Sequence, residues 1–209
     1  MHTHRKERGA ALVTALFLML AVLMMSVSST RASLAAVKSA RHERDRHVAQ
    51  QSAQAALVDA ERDIGGAAGP ASPRTAIFAA ANASAFIAGC AGTAEHAGLC
   101  RLVPAPGVPA WQATDLAGTS SVEYGRFTGA AMPTGAGLLP ARPPRYIVEF
   151  LDYPGADPVY RITAIGFGAG ETTRVVLQGH YRRATATTPA RRLGWREVAN
   201  WPELHAATL

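Results

Sequence analysis

The sequence has few charged residues, aromatic residues and cysteines, and it lacks the short motifs that mark several common enzyme classes. Of its 209 residues, 17% are charged, 7% are aromatic and two are cysteines. It contains no GxSxG nucleophile elbow, no GxxxxGK[ST] phosphate-binding loop and no GxGxxG motif, although Gly166, Gly168 and Gly170 are closely spaced. We therefore predict a protein that is not an enzyme and needs no cofactor.

Spacings suited to a metal site are also lacking. His42 and His47 flank a charged stretch, but histidines five positions apart lie about 140° apart around a helix, whereas zinc-binding helices place them four apart. Cys90 and Cys100, with His96 between them, lack a fourth ligand. We predict no metal site, and we interpret the charged stretch as a solvated polar girdle on a helix.

Acidic residues are fewer than basic ones, and the formal net charge is +6. A basic chain can bind nucleic acid, and the C-terminal region has arginines and tryptophans suited to such a surface. They are Arg182, Arg183, Arg191, Arg192, Arg196, Trp195 and Trp201. The stretch is short, however, and four of its arginines form two pairs separated by a mostly polar loop. We expect a solvated edge with packed aromatic residues, and no contact with nucleic acid.

No charged residue lies between Ala10 and Thr30, and this stretch consists mainly of Ala, Leu, Val and Met. A helix of about 20 residues spans about 30 Å, the thickness of the hydrocarbon core of a bilayer. Arg5, Lys6 and Arg8 precede the stretch and favour a cytoplasmic N-terminus. We predict a single membrane span, with the residues after it exported.

Three kinds of N-terminal segment fit this pattern. A secretory signal peptide would be cleaved near Ala32, although its apolar run is usually about 7–15 residues long. A signal anchor would stay uncleaved. The third kind is indicated by Arg8-Gly9-Ala10-Ala11, where a short basic leader ends in glycine directly before the apolar run. This arrangement has the form of a prepilin peptidase site and predicts cleavage between Gly9 and Ala10.

Helical character continues beyond the membrane segment. No proline or glycine occurs in residues 31–63, and apolar residues recur on one face of the predicted helix. That face consists of Ala49, Ala53, Ala56, Leu57, Ala60 and Ile64. Gly65-Gly66 ends the pattern. We predict a helix over residues 10–64, roughly 80 Å long, whose outer part packs under a globular head.

The N-terminal region resembles that of PilX-type minor type IV pilins. The resemblance covers residues 8–64 and rests on Arg8-Gly9, on Arg44-Asp45-Arg46, and on the stretch AQQSAQAAL followed by Asp59-Ala60-Glu61. Nearer the C-terminus, the stretches PRYIVEF, YRITAIG and VVLQGHY are similar to the last strands of that family.

The resemblance implies a structural protein that prepilin peptidase cleaves, that is N-methylated at Ala10, and that assembles with other minor pilins, the major pilin and a tip adhesin. In the family picture, a glutamate at the fifth mature position neutralises the N-terminal amine of the subunit ahead. This chain has Thr14 there. It cannot make that bond, whereas its own Ala10 amine can still be paired from behind. The resemblance thus implies a subunit that leads the filament.

Residues 65–209 are numerous enough for a folded head. Three segments alternate or cluster β-branched and aromatic residues between turn residues, which predicts an antiparallel meander. They are residues 146–151, 159–167 and 172–181. A fourth strand is predicted at residues 121–128. Predicted loops, rich in proline and glycine, are residues 65–73, 104–109 and 129–144.

Cys90 and Cys100 are an even number of cysteines in a segment predicted to reach the oxidising periplasm. We predict a disulfide between them. Closing a loop of about eleven residues contributes roughly 3 kcal/mol in the chain-entropy treatment.

We predict an α+β, pilin-like fold, in which a long N-terminal helix packs on an antiparallel sheet. Its regions are a cytoplasmic leader (1–9), a transmembrane or pilus-core helix (10–30), an amphipathic arm (31–64) and a periplasmic head (65–209). The predicted function is that of a minor pilin that leaves the bacterial inner membrane, primes pilus assembly and lies in the tip complex. Two alternatives stay open: a signal-anchored periplasmic domain that binds a ligand or a surface, and a pseudopilin of type II secretion.

Overall fold

The computed structural model describes residues 7–66, 72, 74–153 and 157–208, with side chains from residue 10 onwards. Residues 1–6 of the predicted leader, and residues 67–71 and 73 of the first predicted loop, lie outside the described residues. The chain divides into two compact units, Met1–Arg44 and Asp45–Leu209. The first holds the apolar N-terminal segment, and the second holds the head together with the outer part of the long helix.

Helix α1 spans Glu7–Gly65. Its residues are mostly good helix formers, and proline is absent from it. The helix ends where Gly66 adopts a φ of 75° and donates its backbone N–H to the carbonyl oxygen of Asp63 at 3.3 Å. This left-handed conformation favours glycine and commonly ends helices.

The described part of the head contains one six-stranded sheet. Its strands are β1 (Leu99–Cys100), β2 (Val122–Glu123), β3 (Arg145–Leu151), β4 (Val159–Phe167), β5 (Arg174–Arg182) and β6 (Arg191–Glu197). The order is β1-β3-β4-β5-β6, and β2 also pairs with β3. Strands β3 to β6 form an antiparallel meander, whereas β1 is parallel to β3.

One face of the sheet packs against the outer part of α1. The six residues of the predicted apolar face are all buried there, which confirms that prediction. Small side chains bring helix and strand close together, because a Cβ on Gly166 of β4 would lie 2.1 Å from the carbonyl oxygen of Ala49 and 2.3 Å from the nitrogen of Ala53. Glycine at this position therefore sets the distance between α1 and the sheet.

The opposite face is covered by short elements, among them α3 (Ala110–Ala113) and α4 (Trp201–Ala206). Trp201 is buried and donates its indole N–H to the carbonyl oxygen of Trp111 at 3.0 Å, which ties α4 to α3. Helix α2 (Thr75–Ala80) contributes the buried Phe78 to the core beneath α1. The central strands are thus buried on both faces.

The predicted α+β fold and the strands β3, β4 and β5 are confirmed. The predicted fourth strand is much shorter than residues 121–128, since β2 has only two residues and Gly125, with a φ of 78°, turns the chain immediately afterwards. The sequence did not lead us to expect β6 or the parallel pairing of β1. Strand β1 depends on β3, which is distant in sequence, whereas β6 is mostly exposed, so no apolar alternation marks it.

Candidate functional site

Gly9 and Ala10, the residues of the predicted cleavage site, lie near the start of α1, and Ala10 is exposed. Thr14 lies one turn further along, where its hydroxyl donates a hydrogen bond to the carbonyl oxygen of Ala11 at 2.9 Å. That hydroxyl is satisfied by its own helix and carries no charge. Cleavage after Gly9 and methylation of Ala10 stay predictions.

Other hydroxyls in this part of α1 follow the same rule. Ser26, Thr30 and Ser33 donate to carbonyl oxygens four residues earlier, at 2.9–3.0 Å. Such bonds satisfy small polar side chains within the helix. Because these hydroxyls need no water, they are compatible with an apolar environment.

The first unit exposes a large apolar surface. Leu12, Phe17 and Met25 are each 72–73% exposed. The most apolar window of the helix has a mean hydropathy of 2.5, and none of that window is buried. By length and composition this helix can cross a membrane. Water disfavours such a surface, so it suits a lipid bilayer or the apolar surfaces of neighbouring helices.

In the second unit, Asp45 holds the turn between β4 and β5. Its Oδ1 accepts hydrogen bonds from the backbone N–H groups of Ala169 at 2.5 Å and Gly170 at 3.2 Å, and its Oδ2 accepts one from the hydroxyl of Thr173. A carboxylate that accepts several hydrogen bonds in this way is a strong local clamp.

Two ion pairs connect α1 with β6. Nη2 of Arg46 lies 2.6 Å from Oε1 of Glu197. Arg192 binds Glu61 through two hydrogen bonds, of 2.5 Å from Nε and 2.9 Å from Nη2. The interpretation of the charged stretch around Asp45 as a solvated girdle is therefore wrong for Asp45 and Arg46, which bind the head.

Asp59, like Asp45, is a carboxylate of α1 that accepts hydrogen bonds from a turn of the head. Its Oδ2 accepts the backbone N–H of Gly125 at 2.8 Å, and its Oδ1 accepts the hydroxyl of Thr128. Both partners belong to the turn that follows β2. The acidic residues of the arm thus position loops of the head as well as strands.

A buried ion pair lies where α1 ends. Arg74 and Asp63 are both fully buried, and Nε of Arg74 is 3.1 Å from Oδ2 of Asp63. The hydroxyl of Tyr146 donates to the same oxygen at 3.1 Å, and Nη1 of Arg74 donates to the carbonyl oxygen of Ala97 at 2.8 Å. The guanidinium also lies 4.2 Å from the ring centroid of Phe127. This cluster joins the helix end, the sheet and two loops.

Burial is the largest influence on the pKa values of Asp63, Arg74 and Tyr146. It raises the pKa of Asp63 to about 6, although the charge of Arg74 and the hydrogen bond from Tyr146 lower it. Burial also lowers the pKa of Arg74, against the effect of Asp63, and raises the pKa of Tyr146. Asp63 therefore changes its charge close to neutral pH.

Cys90 and Cys100 are joined by a disulfide and are both fully buried. Cys100 lies in β1 and pairs with Glu149 of β3, so the disulfide attaches the intervening loop to the sheet. Nδ1 of His96, in that loop, lies 2.9 Å from the carbonyl oxygen of Ala85. Among the described residues, no group of three or more His, Cys, Asp or Glu side chains is arranged to hold a metal ion.

The basic residues near the C-terminus lie on two faces of the sheet. Arg192 faces α1, and Nε of Arg183 donates to the carbonyl oxygen of Ile64 at 2.9 Å. By their cross-strand partners, Arg182, Arg191 and Arg196 lie on the opposite face. Trp201 is buried and Trp195 is half-exposed. These residues do not combine into one surface.

Two family models match the chain. The one described as PilX N-terminal matches residues 8–58, and the one described as type IV pilus assembly protein PilX C-term matches residues 65–183. Comparisons with curated proteins and with solved structures find no match. The matched regions include most of α1 and strands β1 to β5. The chain therefore belongs to the PilX family of type IV pilus assembly proteins.

Proposed function

We propose that this chain is a minor pilin that primes assembly of a type IV pilus and occupies the leading end of the filament. The family is one of structural pilus components. The observation that carries the proposal is Thr14, whose neutral hydroxyl is bonded to Ala11 within a helix that exposes an apolar surface.

The physical reason is the cost of an unpaired charge. Cleavage after Gly9 would give Ala10 a free amine, and an amine among apolar helices needs an opposite charge, because an isolated ion in a medium of low dielectric costs several kcal/mol. Thr14 offers no charge to an amine ahead of it. A position inside the shaft would leave that amine unpaired, whereas the leading position has no such amine.

We further propose that the chain resides in the bacterial inner membrane before assembly, with its head in the periplasm. The basic residues before the apolar segment favour this orientation, and a disulfide in the head is typical of an oxidising compartment. The proposed partners are prepilin peptidase, other minor pilins, the major pilin and a tip adhesin. In this role the chain acts as a structural and interaction protein, and not as an enzyme.

The test compares where the subunit lies in sheared pili of three strains. Wild-type protein should label filament ends by immunogold microscopy, and its deletion should reduce the number of pili. Thr14→Glu supplies the missing carboxylate and should permit label along the shaft. Thr14→Gln has similar size without charge, so it should label ends only.

Even label along the shaft in the wild type would overturn the leading position. Absence of label from pili, with an intact N-terminus, would favour the signal-anchored alternative. If the deletion strain had normal pili but lost protein secretion, the pseudopilin alternative would be favoured.

A further inference from the structure

Strand β6 forms a free edge of the sheet. It is the last strand in the sheet order and pairs with β5, and no other strand in the described part of the chain pairs with it. An edge strand leaves half of its backbone donors and acceptors without a ladder partner. Such an edge is a template for an added strand.

The hydrogen bonds beside β6 show which backbone groups point outward. The N–H of Val198 donates to the carbonyl oxygen of Val176 at 2.9 Å. Because inward-bonded residues alternate in an antiparallel ladder, Arg196 is also bonded inward. The backbone N–H and C=O of Trp195 and Glu197 are therefore directed toward the free edge.

The edge is regular and held in place. The irregularity in the β5–β6 pairing lies between His180 and Tyr181, near the start of β6, so residues 194–197 form an undistorted stretch. The ion pairs of Glu197 and Arg192 with α1 fix both ends of β6. A partner strand would meet a preorganised edge, which lowers the entropic cost of binding.

Apolar side chains are exposed along this edge. Leu193 is 51% exposed and Trp195 is 49% exposed. Trp195 pairs with Gly179 and lies on the α1 side of the sheet, near Leu57. An added strand would cover part of this apolar surface.

The opposite face of the same edge is basic. Arg191 lies directly across from Arg182, and Arg196 lies across from Gln178, to which it donates two hydrogen bonds at 3.1 and 3.3 Å. Nε of Arg182 lies 4.0 Å from Oδ2 of Asp157. Like charges placed directly across strands repel each other, so this face gains stability from an acidic neighbour.

Charge also decides between candidate occupants. A second copy of this chain, pairing β6 with β6, would bring arginines against arginines. Nucleic acid would be expected to stack its bases on exposed aromatic rings beside the arginines, but Trp195 lies on the other face. An extended acidic protein segment could bond to the outward backbone groups of β6, pair its acids with the arginines and cover the exposed ring of Trp195.

We propose that β6 accepts an added strand from a partner protein, in which acidic residues on the arginine face alternate with apolar residues on the face of Trp195. All residues of this site belong to the head, so the proposal does not depend on whether the subunit leads the filament.

The test uses the full chain in detergent micelles and a labelled decapeptide of alternating Glu and Val. Binding is measured by fluorescence anisotropy, and amide hydrogen exchange is measured at Trp195 and Glu197. The peptide should bind and protect both amides. A Lys/Val decapeptide, and one with Glu and Val in separate blocks, should bind about tenfold more weakly.

Matched variants distinguish the contributions of backbone hydrogen bonds, of the Trp195 side chain and of charge to peptide binding. Trp195→Ala removes only the side chain, whereas Trp195→Pro also removes an outward N–H that the fold itself does not need. Binding should be weaker for Trp195→Pro than for Trp195→Ala by about fivefold. Arg191→Glu should weaken binding by about tenfold, and Arg174→Glu, on the same face at the other end of β5, should have little effect.

Three results would overturn the proposal. The first is failure of the Glu/Val peptide to bind at about millimolar concentration. The second is binding without protection of Trp195 and Glu197, or equal losses in the alanine and proline variants. The third is equal binding of polyglutamate or of a DNA oligonucleotide, which would show a charged surface without strand addition.

Discussion

Burial and charge act against each other at Asp63 and Arg74. Both side chains are removed from water, and their attraction across 3.1 Å only partly restores the lost hydration. The result is visible in Asp63, whose pKa rises to about 6 although a guanidinium lies beside it. Desolvation therefore outweighs the ion pair, and the pair is better understood as fixing the chain path than as a large source of stability.

We expect the contribution of Asp63 to make the head more stable as the pH falls from about 7 to about 4. Its folded-state pKa of about 6 lies above the ordinary value of 3.8, so the folded state binds the proton more tightly. The resulting stability is fully present below the unfolded pKa and is lost as the pH rises through the folded pKa. Urea unfolding across this range measures it.

The size of this effect is on the order of 3 kcal/mol. Asp63→Asn removes the titrating group, so the stability of the variant relative to wild type should rise between pH 4 and pH 7. Asp152→Asn, which changes an exposed carboxylate, is the matched control and should leave the wild-type profile intact. Parallel profiles for wild type and Asp63→Asn would contradict the assignment.

Gly166 is a second residue with a sharp expected effect. Gly166→Ala places a methyl group 2.1 Å from the carbonyl oxygen of Ala49, and backbone atoms cannot move aside as a flexible side chain does. We expect a loss of about 3 kcal/mol in the free energy of unfolding. Gly194→Ala is the control, because a Cβ there has no other atom within 4 Å. Equal unfolding midpoints in urea would show that α1 does not pack against β4 this closely.

Among the elements, the central strands of the sheet could be predicted from the sequence, whereas the edge strands β1 and β6 could not. Strands β3 to β5 are buried on both faces, and burial selects the β-branched and aromatic runs that the sequence shows. Strand β6 has the sequence RRLGWRE, mostly exposed, so no apolar alternation marks it. Strand β1 has two residues and exists through its pairing with β3.

The same contrast holds for α1. Its alanine face follows helical spacing and was predictable, because burial on one side selects that period. Its polar contacts could not be predicted, because Asp45, Asp59 and Asp63 look in the sequence like ordinary solvated helix residues. Asp59 binds Gly125 and Asp63 binds Tyr146, which lie 66 and 83 residues further along the chain. Only the fold brings them together.

The disulfide between Cys90 and Cys100 should stabilise the head by constraining the unfolded chain. For a loop of this length the chain-entropy treatment gives about 3 kcal/mol. Urea unfolding with and without dithiothreitol measures the difference, and the double variant Cys90→Ala/Cys100→Ala should not respond to the reductant. Detection of two free thiols in protein recovered from cells, by mass mapping under non-reducing conditions, would contradict the prediction.

For the whole molecule, apolar surface and specific polar contacts are separated between the two units. The first unit exposes large apolar side chains, and the hydroxyls of Thr14, Ser26, Thr30 and Ser33 are bonded within its helix. The second has two packed cores, a disulfide and polar contacts that attach α1 to the sheet. A membrane or a filament core suits the first unit, and an aqueous compartment suits the second. The state of the N-terminus decides whether the first unit ever leaves the membrane.

We expect the mature chain to begin at Ala10. Gly9 should be required because a side chain at that position obstructs the peptidase, and the exposed Ala10 should then carry an N-methyl group. Mass spectrometry of the N-terminal peptide tests this directly. Gly9→Val should accumulate with its leader attached and stay out of pili, whereas Ala11→Val, just beyond the cut, should mature normally. An intact leader in wild-type protein would leave a membrane anchor. Cleavage near Ala32 would remove the apolar helix surface, and with it the physical basis for a place in the filament.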